Sequence, residues 1–174
     1  MPSARTRFVM SAIAALCFVT AAFAQMPAYT QAGPIPPALA AAKTVFVSNA
    51  GSDSGLFPAQ LTGDPDRAYT EFYAALKATG DFTLVADPAQ ANLVLELRLL
   101  WPSNPNKQAD VVLPPPMFRL VVYDGKTHYI LWTVTQSVDI VHLKKTRDKN
   151  FDVALANVLN QFLQITGKAP APAH

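Results

Sequence analysis

The chain has 174 residues, of which 51% are hydrophobic and 15% charged, and its formal net charge is +2. Arg5 and Arg7 account for that excess, because the 14 basic residues less these two equal the 12 acidic ones. Without these two arginines the chain is neutral. It then lacks the electrostatic footprint of a nucleic-acid-binding protein, so we expect no nucleic-acid partner.

Residues 1–24 have the features of a secretory signal peptide. Two arginines precede an uncharged apolar stretch, and Ala22-Phe23-Ala24 supplies the small residues of a cleavage site. The stretch of about 16 residues is shorter than the roughly 20 that a membrane-spanning helix needs, although an uncleaved anchor is the alternative. We expect a periplasmic or secreted protein that begins at Gln25, with no transmembrane segment after cleavage.

The metal-binding and redox chemistry available to this chain is narrow. Cys17 is the one cysteine and lies within the predicted signal, so the mature chain is expected to hold no disulfide and no cysteine metal site. Leu16 stands where lipoprotein signals have a small residue, which argues against lipidation. The histidines, at positions 128, 142 and 174, lack metal-site spacing. We predict neither a metal nor a cofactor.

Segments rich in proline and alanine border the predicted domain. Residues 25–42 are typical of an extended tether that buries little surface, and residues 168–174 are typical of a frayed tail. We therefore predict a single folded domain over residues 43–167, a length that can form a core without cross-links.

The domain is expected to open with a β-strand at residues 43–48, followed by a turn-rich connection. Asp64, Pro65 and Asp66 are residue types that favour a helix start. Gly80 suits the left-handed cap that ends such a helix. A strand–helix–strand unit of this length predicts a parallel crossover.

Two further strands are predicted at residues 81–86 and 92–101. In the longer strand leucines alternate with polar residues, which places Glu96 and Arg98 together on the outward side. Pro102 ends this strand, because it has no N–H group to continue the ladder.

A hairpin at residues 118–135 is the best-specified element. Two runs rich in β-branched and aromatic residues flank Asp124-Gly125, a pair that favours the positive φ of tight turns. Alternation predicts that the second strand buries one face, formed by Ile130, Trp132, Val134 and Val138.

A basic turn at residues 144–149 is predicted to lead to a last helix that starts at about Asn150 and ends at Gly167. Asp148 and Asp152 are interpreted as acids that complement the start of this helix. The order β-α-β-β-β-β-α predicts an α+β two-layer sandwich, with a mixed sheet and both long helices on one face.

The first connection is a candidate ligand site. Its small residues resemble a phosphate loop, but the phosphate-binding and nucleophile-elbow motifs do not occur in the sequence. A flexible connection is the simpler interpretation, although open α/β sheets do bind ligands beyond the carboxyl ends of their strands. The candidate residues are Ser48, Asn49, Ser52 and Asp53.

Two long connections place apolar residues outside regular structure. The first contains Leu56 and Phe57, and the second contains Val111 and Leu113. Long loops in compact domains are often functional, and packing of the loops over the core explains the same residues equally well.

A cluster of basic residues, Lys144, Lys145, Arg147 and Lys149, follows the hairpin. The cluster could bind anionic lipid, lipopolysaccharide or acidic groups of peptidoglycan. The simpler interpretation is a solvated turn, since an acid is interleaved with the basic residues.

The motif Val-Val-Tyr-Asp-Gly-Lys-Thr-His-Tyr-Ile-Leu-Trp at residues 121–132, the basic turn and the final helix resemble a pattern in small bacterial envelope proteins. The motif Phe-Thr-Leu-Val-Ala-Asp-Pro-Ala-Gln-Ala-Asn-Leu-Val-Leu at residues 82–95 is similar to the same group. The group comprises secreted lipoprotein domains of unknown function and, more distantly, the amino-terminal domain of the Tol translocation propeller protein. The resemblance implies a non-enzymatic envelope role and no catalytic residues.

The leading functional hypothesis is an exported, non-enzymatic interaction module of the envelope that acts through loops and an exposed sheet face or edge. Its expected partner is an envelope protein or an anionic envelope component. The alternative is a periplasmic small-ligand-binding protein or hydrolase with a site near residues 48–55. A dimer formed through an edge strand is a third hypothesis.

Overall fold

The computed structural model describes residues 33–52, 61–101 and 114–168. Helices and strands within these ranges are, in chain order, α1 (Pro37–Ala41), β1 (Thr44–Ser52), α2 (Arg67–Thr79), β2 (Thr83–Leu84), a 3-10 turn (Pro88–Gln90), β3 (Leu93–Leu100), β4 (Met117–Asp124), β5 (Ile130–Ser137) and α3 (Lys144–Ile165).

The described strands form one mixed sheet in the order β2-β1-β3-β4-β5. β1 runs parallel to β2 and β3, whereas β3–β4 and β4–β5 are antiparallel pairs. Along β3 the side chains alternate between buried and half-buried, with the leucines at positions 93, 95, 97 and 99 buried. The sheet therefore has one face that the described helices cover, which includes these leucines, and one face on which no described helix lies, called here the uncovered face.

Both long helices pack on the covered face, as predicted. Phe72 from α2 and Phe162 from α3 are fully buried in the same core as the β3 leucines. Phe118 of β4 meets Phe151 of α3 edge to face, with ring centres 4.9 Å apart. The predicted mixed-sheet sandwich is confirmed. Among the described residues, no helix combines the length and the apolar character needed to cross a bilayer.

The last part of the predicted tether belongs to the packed structure. Pro37–Ala41 forms helix α1, which starts with a proline as helices often do. Leu39 and Ala42 are 0% and 3% exposed and lie in the core. The composition suggested an extended segment, but burial of one leucine against the sheet overrides that tendency.

The hairpin is confirmed, but its turn differs from the predicted one. The positive φ in this turn belongs to His128, at 58°, and not to Asp124 or Gly125. The Asp124 carboxylate accepts hydrogen bonds from the backbone N–H groups of Lys126 and Thr127, at 3.0 and 2.7 Å. These bonds, chiefly those from Thr127, hold the pKa of Asp124 below its usual range. The result is a wider turn organised by one side chain.

Gly125 is required for close packing and not for the positive φ that was predicted. A Cβ atom at this position would lie 1.9 Å from the carbonyl oxygen of Ala91, so only glycine fits. The wider turn is accompanied by a register shift between β4 and β5. Ile130 is consequently 61% exposed, contrary to prediction, while Trp132 and Val134 are buried as expected.

Candidate functional site

The uncovered face carries a group of polar side chains at its centre. Glu96 and Arg98 come from β3, and Arg119 and Tyr123 come from β4. Arg98 pairs directly with Arg119 across the two strands, and Val94 pairs with Tyr123. Because side chains two residues apart share a face of a strand, all four groups lie on the same side of the sheet. Two paired strands provide a rigid support for them.

Glu96 is the acceptor in this group. The hydroxyl of Tyr123 donates a hydrogen bond to Oε2 of Glu96 at 3.0 Å, and Nη2 of Arg98 lies 3.6 Å from Oε1. Burial, followed by the hydrogen bond to Glu96, raises the pKa of Tyr123 above its ordinary value. Tyr123 therefore remains a neutral donor, and Glu96 has a partner for each oxygen.

The positive charge of Arg119 has fewer compensating contacts among the described residues. Its Nε atom is buried and makes no hydrogen bond with any residue that the structure describes. Like charges directly opposite on neighbouring strands destabilise a sheet, and Arg119 lies opposite Arg98. Counting only the described residues, the centre holds two guanidinium groups and one carboxylate, which together have an excess positive charge. Guanidinium groups bind carboxylates in bidentate geometry, which makes this centre suited to an anionic group.

Apolar side chains surround the charged centre. Phe46 on β1 pairs with Val94, and Leu100 pairs with Met117. These four residues are half-buried, and Val121 beside them is 7% exposed. Arginine, methionine and aromatic residues are enriched at the centres of protein interfaces. The uncovered face thus has the composition of a binding surface.

The first predicted ligand loop is largely strand. Ser48 lies in β1, as predicted, but β1 continues to Ser52, so Asn49 and Ser52 also belong to the strand, contrary to the prediction that it ends at Ser48. Ser48 pairs with Glu96 and therefore lies at the border of the uncovered face. The side-chain amide of Asn49 instead donates a hydrogen bond to Asp66 at 2.6 Å, which ties β1 to the start of α2.

Five other predicted binding residues lie outside the described ranges, namely Asp53, Leu56, Phe57, Val111 and Leu113. Their role stays a prediction. β1 and β3 are parallel, so the chain leaves both strands at the same edge of the sheet.

The predicted basic turn is helical. α3 begins at Lys144, so Lys144, Lys145 and Arg147 occupy its first turns. The two lysines are exposed. Arg147 contacts the preceding backbone, because its Nη1 donates to the carbonyl oxygens of Val141 and His142 at 3.1 and 3.2 Å. The predicted cluster is therefore divided into three exposed lysines, at positions 144, 145 and 149, and one arginine that positions the loop before the helix.

Asp148 and Asp152 do not cap a helix start, contrary to prediction. Both lie within α3 and bind Arg67 of α2, at 3.1 and 2.5 Å. Arg67 also pairs with Glu71 at 2.8 Å, and its guanidinium carbon lies 4.3 Å from the ring centre of Phe151. This network joins the two long helices.

Thr62 completes the network. Its backbone N–H and its hydroxyl donate to the two oxygens of Asp148, at 2.8 and 2.6 Å. These bonds from Thr62, assisted by Arg67, hold the pKa of Asp148 below its usual range. An open depression of about 500 Å³ lies beside Thr62, Arg67 and Glu71. Since the charged groups there are bound to one another, we infer that they stabilise the fold and do not form a ligand site.

His128 and His142 are far apart in the fold. His128 lies in the turn before β5, and His142 lies beyond the other end of that strand. The two rings therefore cannot share one ligand. The part of the chain that the structure describes contains no group of three or more potential metal ligands.

No family model and no curated protein matches this sequence. Among solved structures, a DUF4136 family protein from Bacteroides thetaiotaomicron is similar, with 11% identity over 82% of this chain and 96% of that chain and a TM-score of 0.52. A protein from Xanthomonas campestris assigned to DUF330 has 12% identity, coverage of 79% and 89%, and a TM-score of 0.45. The PelC dodecamer from Paraburkholderia phytofirmans has 16% identity, coverage of 75% and 91%, and a TM-score of 0.42.

The likeness to the DUF4136 family protein concerns the fold alone, because the identity is 11%. The predicted resemblance to the Tol propeller protein stays a prediction. The chain shares its fold with a DUF4136 family protein.

Proposed function

We propose that this chain is an exported, non-enzymatic module of the bacterial envelope that binds a protein partner through its uncovered sheet face. The observation that carries the proposal is Arg119, which lies opposite Arg98 at the centre of an apolar surface with its Nε unbonded among the described residues. The signal-like residues 1–24 support export. The resemblance to small envelope domains supports the location.

The charge of the centre favours one kind of partner. A carboxylate presented among apolar side chains would pair with Arg119 and would offset its repulsion by Arg98. The surrounding Phe46, Val94 and Met117 would contact the apolar neighbours of that carboxylate. Removing one member of such a buried charge pair costs about 2 kcal/mol or more, roughly thirtyfold in affinity.

Site-specific photo-crosslinking in cells tests the proposal. A photoreactive amino acid at Thr135, which pairs with Arg119 on β5, samples the uncovered face. The matched control position is Ala78, which is exposed on α2. We expect one reproducible envelope protein to be captured from position 135 and not from position 78. Arg119→Met should abolish this product, while Arg119→Lys should retain part of it.

The proposal would be contradicted by capture of the same proteins from both positions. A crosslinked product that persists unchanged in the Arg119→Met variant would also contradict it, because the guanidinium would then have no role in binding.

A further inference from the structure

The segment between β5 and α3 exposes apolar side chains next to lysines. Ile140, Val141 and Leu143 are 43%, 37% and 72% exposed. Lys144 and Lys145 follow directly and are exposed as well. We call residues 140–145 the apolar–basic loop. Contiguous exposed aliphatic side chains are unusual on a protein surface in water and indicate a site of association.

Hydrogen bonds from two side chains of α3 to backbone carbonyl groups hold the apolar–basic loop in place. Arg147 donates to the carbonyl oxygens of Val141 and His142. The side-chain amide of Asn150 donates to the carbonyl oxygen of Asp139 at 3.0 Å. These bonds attach the backbone at residues 139, 141 and 142 to the first turns of α3. The aliphatic side chains are therefore presented outward by a fixed backbone.

We propose that the apolar–basic loop docks on a membrane surface that contains anionic lipids. Ile140, Val141 and Leu143 enter the boundary between headgroups and acyl chains, while Lys144 and Lys145 bind lipid phosphates. Interfacial binding generally combines buried apolar area with attraction between basic side chains and anionic lipids. This surface is separate from the uncovered sheet face, so the two proposals fail independently.

The start of α3 supports an anionic lipid as the occupant. Its first turn has lysines and no acid, and within the described residues no side chain caps it. Lysines are unfavourable near the positive end of a helix dipole, so an adjacent phosphate would offset this cost. An anionic polysaccharide would satisfy the lysines but would leave Leu143, the most exposed of the aliphatic side chains, in water. A lipid surface accommodates both groups.

Co-sedimentation with lipid vesicles tests the proposal on protein purified from cells that express the full chain. We expect binding to vesicles of phosphatidylcholine and phosphatidylglycerol and little binding to phosphatidylcholine alone. Lys144→Gln together with Lys145→Gln should weaken the partition coefficient about thirtyfold. Leu143→Ser should weaken it about tenfold.

Matched variants elsewhere provide the controls. Lys77→Gln together with Lys126→Gln removes the same charge from exposed positions on α2 and in the β4–β5 turn. Val153→Ser removes an aliphatic side chain that is 49% exposed on α3. Both controls should bind vesicles as the unaltered protein does. Circular dichroism should show that all variants fold, since every altered side chain is exposed.

Insertion is measured separately by fluorescence. In Leu143→Trp the new indole should shift to shorter wavelength with anionic vesicles, and in Val153→Trp it should not. Three results would overturn the proposal: no binding to anionic vesicles, equal loss in the matched controls, or binding that Leu143→Ser leaves unchanged. Retention on an anionic polysaccharide without binding to vesicles would likewise overturn it in favour of a polymer ligand.

Discussion

Arg67 and Arg119 show two uses of the same functional group in one small fold. Arg67, in the helical layer, contacts the carboxylates of Glu71, Asp148 and Asp152 and stacks on Phe151. Arg119, on the uncovered face, lies opposite another arginine, and its Nε has no acceptor among the described residues. A charge that joins structural layers is compensated within the chain. The charge that we propose to meet a partner is left partly uncompensated among the described residues.

The same contrast holds for the apolar residues of the two faces. On the covered face, side chains such as Phe118 are fully buried beneath the helices. On the uncovered face, Phe46 and Met117 remain half-buried. The covered face therefore supplies most of the stability. The uncovered face keeps partly exposed apolar area, as the proposed binding surface requires.

The largest expected change in stability comes from substituting a core residue of β4, compared with its neighbour on the uncovered face. Phe118→Ala should lower the free energy of unfolding by about 3–5 kcal/mol, because it leaves a cavity in the core. Met117→Ala, on the uncovered face, should cost about 1 kcal/mol or less. Urea denaturation of both variants measures the difference. Equal losses would show that the uncovered face is packed as tightly as the core.

The Arg67 network should have a smaller effect. Arg67→Met should lower the free energy of unfolding by about 1–2 kcal/mol, because it leaves Asp148 without its cation, while partial exposure of the other carboxylates limits the loss. Lys77→Met on the same helix is the control and should change stability little. If the two variants have equal stability in urea denaturation, the network does not join the helices energetically.

Asp148→Asn should have an effect of about 1 kcal/mol that depends on pH. The pKa of Asp148 is lowered in the folded state. Its contribution is therefore present above the ordinary carboxyl pKa of about 4 and is lost as the pH falls through the lower, folded value. Unfolding curves at neutral and acid pH should show the gap between wild type and variant closing towards low pH. The exposed Asp81→Asn is the control, and a gap independent of pH would contradict the assignment.

Structural features that depend on residues close together in the chain could be predicted from the sequence. The left-handed cap at Gly80, the alternation of β3 and the existence of the hairpin depend on residues near one another in the chain, and the structure has all three. The outward position of Glu96 and Arg98 followed from the same alternation. Signals of this kind are readable because neighbouring residues decide the conformation.

Tertiary contacts explain most of what could not be predicted. Arg67 and Asp148 are 81 residues apart in sequence, so Asp148 was interpreted as a helix-capping acid. Residues 144–149 were interpreted as a basic turn, so α3 was expected to begin at about Asn150, whereas it begins at Lys144. The pairing of Arg98 with Arg119 depends on the strand register, which local patterns in the sequence do not specify.

Arg119→Met is the most direct test of the claim that the uncovered face is reserved for a partner. Because the substitution removes a charge opposite Arg98 and keeps an apolar side chain, the free energy of unfolding should stay unchanged or rise by about 0.5 kcal/mol. Urea denaturation beside Arg67→Met should therefore give opposite outcomes for the two arginines. A loss above about 1 kcal/mol for Arg119→Met would show that Arg119 stabilises the fold, and would contradict the account.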